Sequence, residues 1–406
     1  MPERPSDPQL AAAVEMIRRE SRRRFLIRSG MGAAALAFGP TLLAACGSSD
    51  DGGSEGSSGG DGSTKLVISN WDAYIDEDAD GNVKASGTTI GDFQKETGVK
   101  VTYNKDFNDN DEYFNKIYSP VLGKGKQIAA DITVPTYWMA ARLVGLEWLE
   151  ELPLDDIPNH KNMVQSYLDQ PWDEGAKFNM PWQAGITGIA WNPKLTGGEL
   201  TSINDLFDPK LKGKVTFLTE MRDSVGLSMF GQGNDPADAT MDTVNEALDK
   251  LEEETDNGQI LKFTGNEYLR SLENGDVAAC VAWSGDIAQL DPELGIQFAI
   301  PEEGGMQWYD TMTVPKGAAN VPAAAEWMNF VYDPENAARI TEFVQYISPV
   351  EGVQEVLEAK GGDAAALANN NLIFPDDETL SRVVTFKELS VEDEIEVQKR
   401  FNDITG

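Results

Sequence analysis

The chain has 406 residues, of which 33 are Lys or Arg and 68 are Asp or Glu, so its formal net charge is −35. One histidine, His160, and two cysteines, Cys46 and Cys280, exclude a zinc site built from His and Cys side chains and restrict any Ser-His-Asp or Cys-His group to His160. Acidity of this degree disfavours nucleic acid and anionic lipid, and favours cations, basic partners or a saline medium.

The first 45 residues have the features of an export signal. The run Ser-Arg-Arg-Arg-Phe-Leu at residues 21–26 is typical of twin-arginine signals, and an apolar stretch covers residues 31–45. This stretch is shorter than the roughly 20 apolar residues that span a membrane. Residues 43–46, Leu-Ala-Ala-Cys, resemble a bacterial lipobox, which predicts cleavage before Cys46 and lipidation of its thiol. The alternative is a membrane anchor helix with an incidental cysteine.

Residues 46–64 are predicted to form the lipidated cysteine and a flexible linker, because nearly all residues from 47 to 64 are Gly, Ser or Asp. Export by the twin-arginine route implies that the body folds before it crosses the membrane. With Cys46 acylated, Cys280 has no partner for an internal disulfide. We expect Cys280 to be buried as a small hydrophobe in the apolar run 277–283.

Strand-like and helix-like segments alternate through the rest of the chain, which predicts an α/β fold with mostly parallel sheet. The predicted strands cover residues 66–69, 99–103, 130–134, 186–191, 215–218, 277–283 and 296–300. Helices are predicted near residues 90–97, ending at Gly98, and after Pro322, Asp333 and Ser390. Because this body exceeds what one hydrophobic core comfortably supports, we expect two lobes.

Several predicted strand ends carry an aromatic residue beside a carboxylate or a hydroxyl. The motifs are Trp71-Asp72-x-Tyr74, Thr136-Tyr137-Trp138, Trp283-Ser284-Gly285-Asp286 and Trp308-Tyr309-Asp310. Ligands of open α/β sheets bind outside the carboxyl ends of strands, so these motifs can converge on one crevice. Carboxylates bind ammonium groups and aromatic faces cover a methylene chain, which suits an organic polycation. The same pattern is compatible with scattered core aromatics and surface acids.

From residue 66 to about residue 401 the chain resembles the polyamine-binding (spermidine/putrescine) proteins of ABC importers. The segments that carry the resemblance are residues 70–75, 93–101, 131–136, 181–189, 274–277 and 301–310. They occur in the same order along the whole body, which makes the resemblance specific. It implies a two-lobed periplasmic-binding-protein fold, each lobe a mostly parallel sheet flanked by helices, with a hinge that closes on ligand.

The resemblance also implies a set of ligand-binding residues. By position they are Trp71, Asp72, Tyr74, Thr136, Trp138, Glu220, Asp223, Trp283, Asp286, Trp308, Asp310 and Tyr346. The acids would hold the nitrogens of a polyamine and the aromatics would enclose its aliphatic stem. Asp72 stands where the family has a hydroxyl residue, so it faces either the mouth of the cleft or solvent. The Trp-x-Gly-Asp motif that ends at Asp286 resembles putrescine-type members of the family, whereas an acid at the position of Glu220 resembles spermidine-type members. Because the chain has both features, the length of the ligand stays open.

The resemblance thus predicts a substrate-binding lipoprotein, not an enzyme, that captures spermidine or putrescine and delivers it to the permease of an ABC importer. Residues 65–184 and 311–354 are assigned to one lobe, and residues 185–310 and 355–406 to the other. We expect a monomer in the periplasm or on the outer face of the cytoplasmic membrane, held there by the lipid on Cys46, with no cofactor, metal or nucleic acid.

Three alternatives stay open at this point. One is a receptor for another small solute, such as a cationic amino-acid derivative, a sugar or a metal complex. Another is a surface-anchored hydrolase that uses an acid pair, since glycosidases need two carboxylates at set distances. The third is an adhesion or signalling receptor with the same fold.

Two other signals, and the acidity itself, have simpler explanations. Residues 76–81 match the start of a calcium-binding loop, but Gly87 stands where such a loop needs a bidentate Glu, which favours a solvated acidic loop. His160 lies in a polar turn and is expected to be exposed. The acidity of the chain either steers cationic ligands or reflects adaptation to salt.

Overall fold

The computed structural model describes residues 64–406, so the predicted export signal and the lipidation site Cys46 lie outside the described residues. The strands are β1 Lys65–Trp71, β2 Lys100–Phe107, β3 Ile132–Thr133, β4 Asp169–Gln170, β5 Asp173–Glu174, β6 Met180–Trp191, β7 Val215–Leu218, β8 Ile260–Thr264, β9 Ala279–Trp283, β10 Gln297–Ala299, β11 Gly305–Met312 and β12 Val383–Val384.

The α-helices are α1 Thr89–Thr97, α2 Asn110–Tyr113, α3 Ser119–Val121, α4 Tyr137–Gly145, α5 Pro193–Thr196, α6 Met221–Gly231, α7 Met241–Asp256, α8 Tyr268–Glu273, α9 Ser284–Ala288, α10 Val321–Val331, α11 Pro334–Val344, α12 Val353–Lys360, α13 Gly362–Leu367, α14 Asp377–Leu380 and α15 Val391–Thr405. A π-helical turn, Phe114–Tyr118, joins α2 to α3. Short 3-10 helices are Leu122–Lys124, Leu154–Asp156, Pro158–Asn162, Gln165–Tyr167, Ile203–Phe207, Pro209–Leu211, Pro236–Asp238 and Pro292–Leu294.

The helix ends follow the local chemistry that the sequence predicts. Gly98 adopts φ 75° and closes α1, a left-handed conformation that glycine reaches at low cost. The Asp333 side chain accepts a hydrogen bond from the Glu335 amide at the start of α11. Ser390 caps α15 in the same way, accepting from the amide of Asp393. These helix boundaries are confirmed.

Two sheets organise the fold, and the α/β class is confirmed. The smaller sheet has the order β2-β1-β3 and is parallel throughout. The larger sheet has the order β12-β11-β6-β9-β7-β8, with β10 also on β6. It is mixed rather than mostly parallel, because β6 pairs antiparallel with β9, β10 and β11. This pairing follows from the path of the chain, which leaves the first core along β6 and returns along β11.

Two hydrophobic cores lie on either side of this crossing. Ile186 belongs to the first core and Ile189 to the second, and on the return strand Met306 belongs to the second core and Tyr309 to the first. Both positions at which the chain passes from one core to the other lie near predicted lobe boundaries, at residues 184/185 and 310/311. After α11 the chain remains in the first core through α12 and α13, well beyond the predicted boundary at residue 354. The lobe division stays a prediction, since the cores do not by themselves define rigid units.

Smaller features refine the expectations for single residues. Cys280 is completely buried in the second core. His160 is half-buried rather than exposed, because its Nδ1 contacts the Ile157 carbonyl oxygen at 2.6 Å within a 3-10 turn. Asp78 accepts from the amides of Asp80 and Asn82.

Between residues 64 and 406, no group of three or more acidic, His or Cys side chains is placed to hold a metal ion. None of the helices in this range is long and apolar enough to cross a membrane.

Candidate functional site

A cleft lies where the two cores meet, with a volume of about 690 Å³ counting its opening to solvent. All the residues that the resemblance implies line it: Trp71, Asp72, Tyr74, Thr136, Trp138, Glu220, Asp223, Trp283, Asp286, Trp308, Asp310 and Tyr346. These residues are scattered along the chain, so only the fold brings them together. Their role in binding stays a prediction.

Strand ends supply most of the lining. Trp71 is the last residue of β1, and Thr136 follows β3 directly before α4. Trp283 ends β9, and Glu220 lies between β7 and α6. This is the arrangement expected for open α/β sheets, in which side chains after the carboxyl ends of strands share one edge.

The β11 residues reach the cleft by a different route, since they lie within a strand. The register of β11 on β6 shifts between Asp310 and Thr311, opposite Pro181. The extra residue at this shift is Trp182 on β6, since Asp310 pairs with Gln183 and Thr311 with Pro181. Trp308 and Asp310 are two residues apart on β11 and therefore lie on the same face of the strand, the face that lines the cleft.

Five aromatic side chains form a continuous wall of the cleft. Along this wall the ring centroids are 5.3 Å apart for Tyr74 and Tyr346, 5.6 Å for Tyr346 and Trp308, 6.2 Å for Trp308 and Trp283, and 6.5 Å for Trp283 and Trp71. The pairs are edge-to-face, the geometry that aromatic quadrupoles favour. Such a wall can cover an aliphatic chain and attract a cation.

The indole N–H groups of this wall are bound within the protein. Trp71 Nε1 donates to the Val134 carbonyl at 2.8 Å, and Trp308 Nε1 donates to Thr187 Oγ1 at 2.9 Å. Because these bonds fix the edges of the rings, their faces are held in place in the absence of a ligand.

Both carboxylate oxygens of Asp310 are held by hydroxyl groups. Its Oδ1 accepts from Thr136 Oγ1 at 2.7 Å, and its Oδ2 accepts from Tyr74 OH at 2.8 Å. Burial raises the pKa of Asp310 to about 7, although both hydroxyl hydrogen bonds favour the ionised form. A cationic group beside this carboxylate would therefore relieve an unfavourable buried charge.

Asp286 is held by three neutral donors. Its carboxylate accepts from Tyr346 OH at 2.7 Å, from Tyr268 OH at 2.9 Å and from Asn266 Nδ2 at 3.0 Å. Burial raises the pKa of Asp286 despite these hydrogen bonds. The neighbouring Gly285 has no room for a side chain, since a Cβ there would lie 2.5 Å from the Tyr346 ring. Backbone packing thus fixes Tyr346 against Asp286.

Asp223 and Asp72 occupy different settings. Asp223 is buried, accepts from Trp283 Nε1 at 2.8 Å, and has its pKa raised to about 6 by burial. Asp72 lies at the mouth, where 68% of its side chain is exposed and its Oδ1 is 3.0 Å from Lys105 Nζ. A surface ion pair of this kind contributes little energy, so the Asp72 charge acts at most on the approach to the cleft.

The end of the cleft near Trp138 contains a cation that the sequence analysis did not single out. The Arg222 guanidinium carbon lies 4.0 Å from the centre of the Trp138 ring. One guanidinium nitrogen is 3.9 Å from Glu220, and the other is 3.0 Å from Glu394. Burial raises the pKa of Glu220 well above its usual range, although Arg222 opposes the shift.

Ten further residues line the cleft: Asn108, Asp109, Asn110, Tyr137, Thr219, Arg222, Asn266, Met306, Gln307 and Phe386. Of these, Tyr137 lies in one of the motifs named above, and the sequence analysis missed the other nine. Two groups of these lining residues could have been predicted from the local sequence. Residues 108–110 follow the end of β2, so the strand-end argument applies to them as well. Thr219 and Arg222 flank the predicted Glu220. Phe386 has no local signal, because it belongs to the second core and reaches the cleft only through the tertiary fold.

Comparisons with known proteins identify the family of the chain. A family model described as "Bacterial extracellular solute-binding protein" matches residues 88–369. A putrescine-binding periplasmic protein of Pseudomonas aeruginosa is 27% identical over 347 residues, covering 80% of this chain and 87% of that protein. A spermidine/putrescine-binding periplasmic protein of Haemophilus influenzae is 25% identical over 288 residues, covering 70% of this chain and 76% of that protein.

Solved structures show the same architecture. A chain from Listeria monocytogenes aligns with a TM-score of 0.71 and 27% identity, covering 84% of this chain and 99% of that one. A spermidine/putrescine ABC transporter substrate-binding protein of Streptococcus pneumoniae aligns with a TM-score of 0.65 and 25% identity, covering 84% of this chain and 98% of that one. Since the family model covers more than half of the sequence, the chain belongs to the family of bacterial extracellular solute-binding proteins.

Proposed function

We propose that this protein binds a linear polyamine, putrescine or spermidine, in the cleft between its two cores and delivers it to an ABC importer. The observation that carries the proposal is the combination of Asp310, Asp286 and Asp223, all buried and held by neutral donors, with the continuous aromatic wall. A ligand with ammonium groups at both ends of an apolar chain complements both features. The relatives named above as polyamine-binding proteins add support.

The proposed mechanism is binding and closure, with no bond made or broken. Protonated amines would pair with the acidic cluster and thereby offset the cost of burying ionised carboxylates. Groups from both cores line the cleft, for example Tyr74 from the first and Trp283 at the boundary with the second. A ligand that contacts both sides therefore favours the arrangement in which the cores approach each other.

The proposal extends to the cellular setting. The twin-arginine motif and Cys46 support export of a folded lipoprotein that is anchored on the outer face of the cytoplasmic membrane or in the periplasm. Its partners would be the permease subunits of the importer, and it would act as a monomer without cofactor, metal or nucleic acid.

Isothermal titration calorimetry of the purified protein tests the ligand class. We expect saturable binding of putrescine or spermidine with one ligand per chain. The matched control ligand is 1,4-butanediol, which has the length of putrescine but no charge, and it should not bind. The proposal is wrong if neither polyamine binds while a sugar or another solute does.

A further inference from the structure

One end of the cleft differs from the rest because a cation of the protein itself lies there. Arg222 stacks on the Trp138 ring at 4.0 Å, within the usual range of a cation–π contact. Only 13% of the Arg222 side chain is exposed. Trp138 and Glu220, which the sequence assigns to the ligand, therefore already contact a guanidinium group.

Arg222 is held in this place by a network of charges. Glu394 on α15 contacts Arg222 at 3.0 Å and also pairs with Arg142. Arg142 lies 5.0 Å from the Trp138 ring and binds Asp111 at 3.0 Å. Burial by itself would lower the pKa of Arg222, but the Glu394 and Glu220 carboxylates raise it above its ordinary value. The guanidinium is consequently charged at every physiological pH.

The other polar groups at this end bond one another. Thr219 Oγ1 donates to Asp109 Oδ2 at 2.8 Å, and Asn110 Nδ2 donates to Thr136 Oγ1 at 2.8 Å and to Glu220 Oε2 at 3.5 Å. These bonds join the segment after β2 to the segment after β7. They use the hydroxyl and amide donors at this end, where the carboxylates of Asp109 and Glu220 also line the cleft.

The acids elsewhere in the cleft contrast with this arrangement. Asp310 is bound by two hydroxyl groups, Asp286 by two hydroxyls and an amide, and Asp223 by an indole N–H. All these partners are neutral, so the negative charge of the three acids is not offset by their hydrogen-bond donors. Cationic ligand groups are therefore favoured near these acids, whereas Glu220 and Glu394 beside Arg222 already face a guanidinium group.

We infer that Arg222 is a specificity-determining residue, which restricts the cleft to linear diamines and disfavours a third ammonium group. The inference rests on the proposed function and deepens it. Both ammonium groups of a diamine can be held by Asp310, Asp286 and Asp223. The additional ammonium of a triamine would approach the Arg222 guanidinium beside the Trp138 face, where like charges repel each other.

Calorimetry with putrescine and spermidine at pH 8 tests the inference. For the wild type we expect putrescine to bind at least tenfold more tightly than spermidine. In Arg222→Ala, which exposes the Trp138 face and frees Glu220, this ratio should fall at least tenfold. Arg222→Lys retains a cation and should keep the preference for putrescine, which separates the charge from the shape of the side chain.

A matched control is Arg339→Ala, which removes an arginine that pairs with Asp92 outside the cleft and should leave the ratio unchanged. Equal or tighter binding of spermidine to the wild type overturns the inference but leaves the proposed function intact. An unchanged ratio in folded Arg222→Ala overturns it as well. If neither polyamine binds the wild type, the proposed function fails and the inference fails with it. Should Arg222→Ala not fold, Arg222→Gln, which keeps most of the side chain but removes its charge, replaces it: the ratio should fall, and an unchanged ratio overturns the inference.

Discussion

Replacing Asp310 by Asn removes one charge from the cleft and little else. The two carboxylate oxygens accept one hydrogen bond each, from Thr136 and Tyr74. An asparagine of the same shape accepts one of these bonds and can donate to the oxygen of the other hydroxyl. The variant therefore keeps the packing and the hydrogen bonds, while the electrostatic attraction for an ammonium group is lost.

The expected loss of affinity follows from the strength of hydrogen bonds to charged groups, about 1.5–3 kcal/mol, which corresponds to about a 10- to 150-fold increase in the dissociation constant. Stability should change in the opposite sense. Because the folded-state pKa of Asp310 is raised to about 7, its contribution to stability is full below about pH 4 and is lost as pH rises through 7. Without ligand at pH 8, Asp310→Asn should thus unfold at the same or a higher temperature than the wild type.

Calorimetric titration with putrescine and thermal unfolding at pH 8 measure the two effects. The matched control is Asp78→Asn, which changes a half-buried acid outside the cleft whose Oδ1 accepts from loop amides, and its affinity should equal that of the wild type. Undiminished binding by Asp310→Asn would refute the role of this carboxylate. A parallel fall in affinity and in unfolding temperature would refute the claim that the substitution preserves the fold.

Polyamine affinity should fall about tenfold from pH 8 to pH 6, since the Asp310 carboxyl, with its pKa at about 7, must release a proton to bind an ammonium group. Titrations of wild type and Asp310→Asn across this range check the assignment, because the variant should lose most of the dependence. Trp308→Ala should weaken putrescine binding by about 0.5–2 kcal/mol, the value of one cation–π contact, and Trp308→Phe should weaken it by less. If calorimetry shows equal losses of affinity in the two variants, the face of the aromatic ring has no role in binding. Gly285→Ala should displace Tyr346 and weaken putrescine binding, whereas Gly198→Ala, at a site with open space around it, should not. Unchanged affinity in Gly285→Ala would show that the position of Tyr346 is unimportant.

Much of the cleft was predictable from short-range patterns. Trp71 and Trp283 end strands that are readily recognised as apolar runs, and strand ends of an α/β fold meet at one edge. The helix caps at Asp333 and Ser390 depend on adjacent residues alone, and both are confirmed. Features decided within a few residues are thus accessible from the amino-acid sequence by itself.

Features that depend on distant partners were not predictable. The contact of Arg222 with Glu394 joins α6 to the last helix, and nothing near Arg222 in the sequence indicates it. The mixed pairing of β6 was likewise missed, because a fully buried strand has the same apolar pattern whichever direction its neighbours run. Leu357 on α12 would suit either core, so its place in the first core had no local signal.

The pairing of β6 with β11 has a consequence for how the molecule moves. Seven residues of β11, from Met306 to Met312, pair with β6 across the boundary between the cores, with one shift of register after Asp310. Any change in their relative orientation must twist this double strand without breaking its ladder of amide bonds. The resistance to motion is then set by backbone elasticity rather than by the length of a loop. Deuterium uptake along both strands should accordingly be slow with and without ligand.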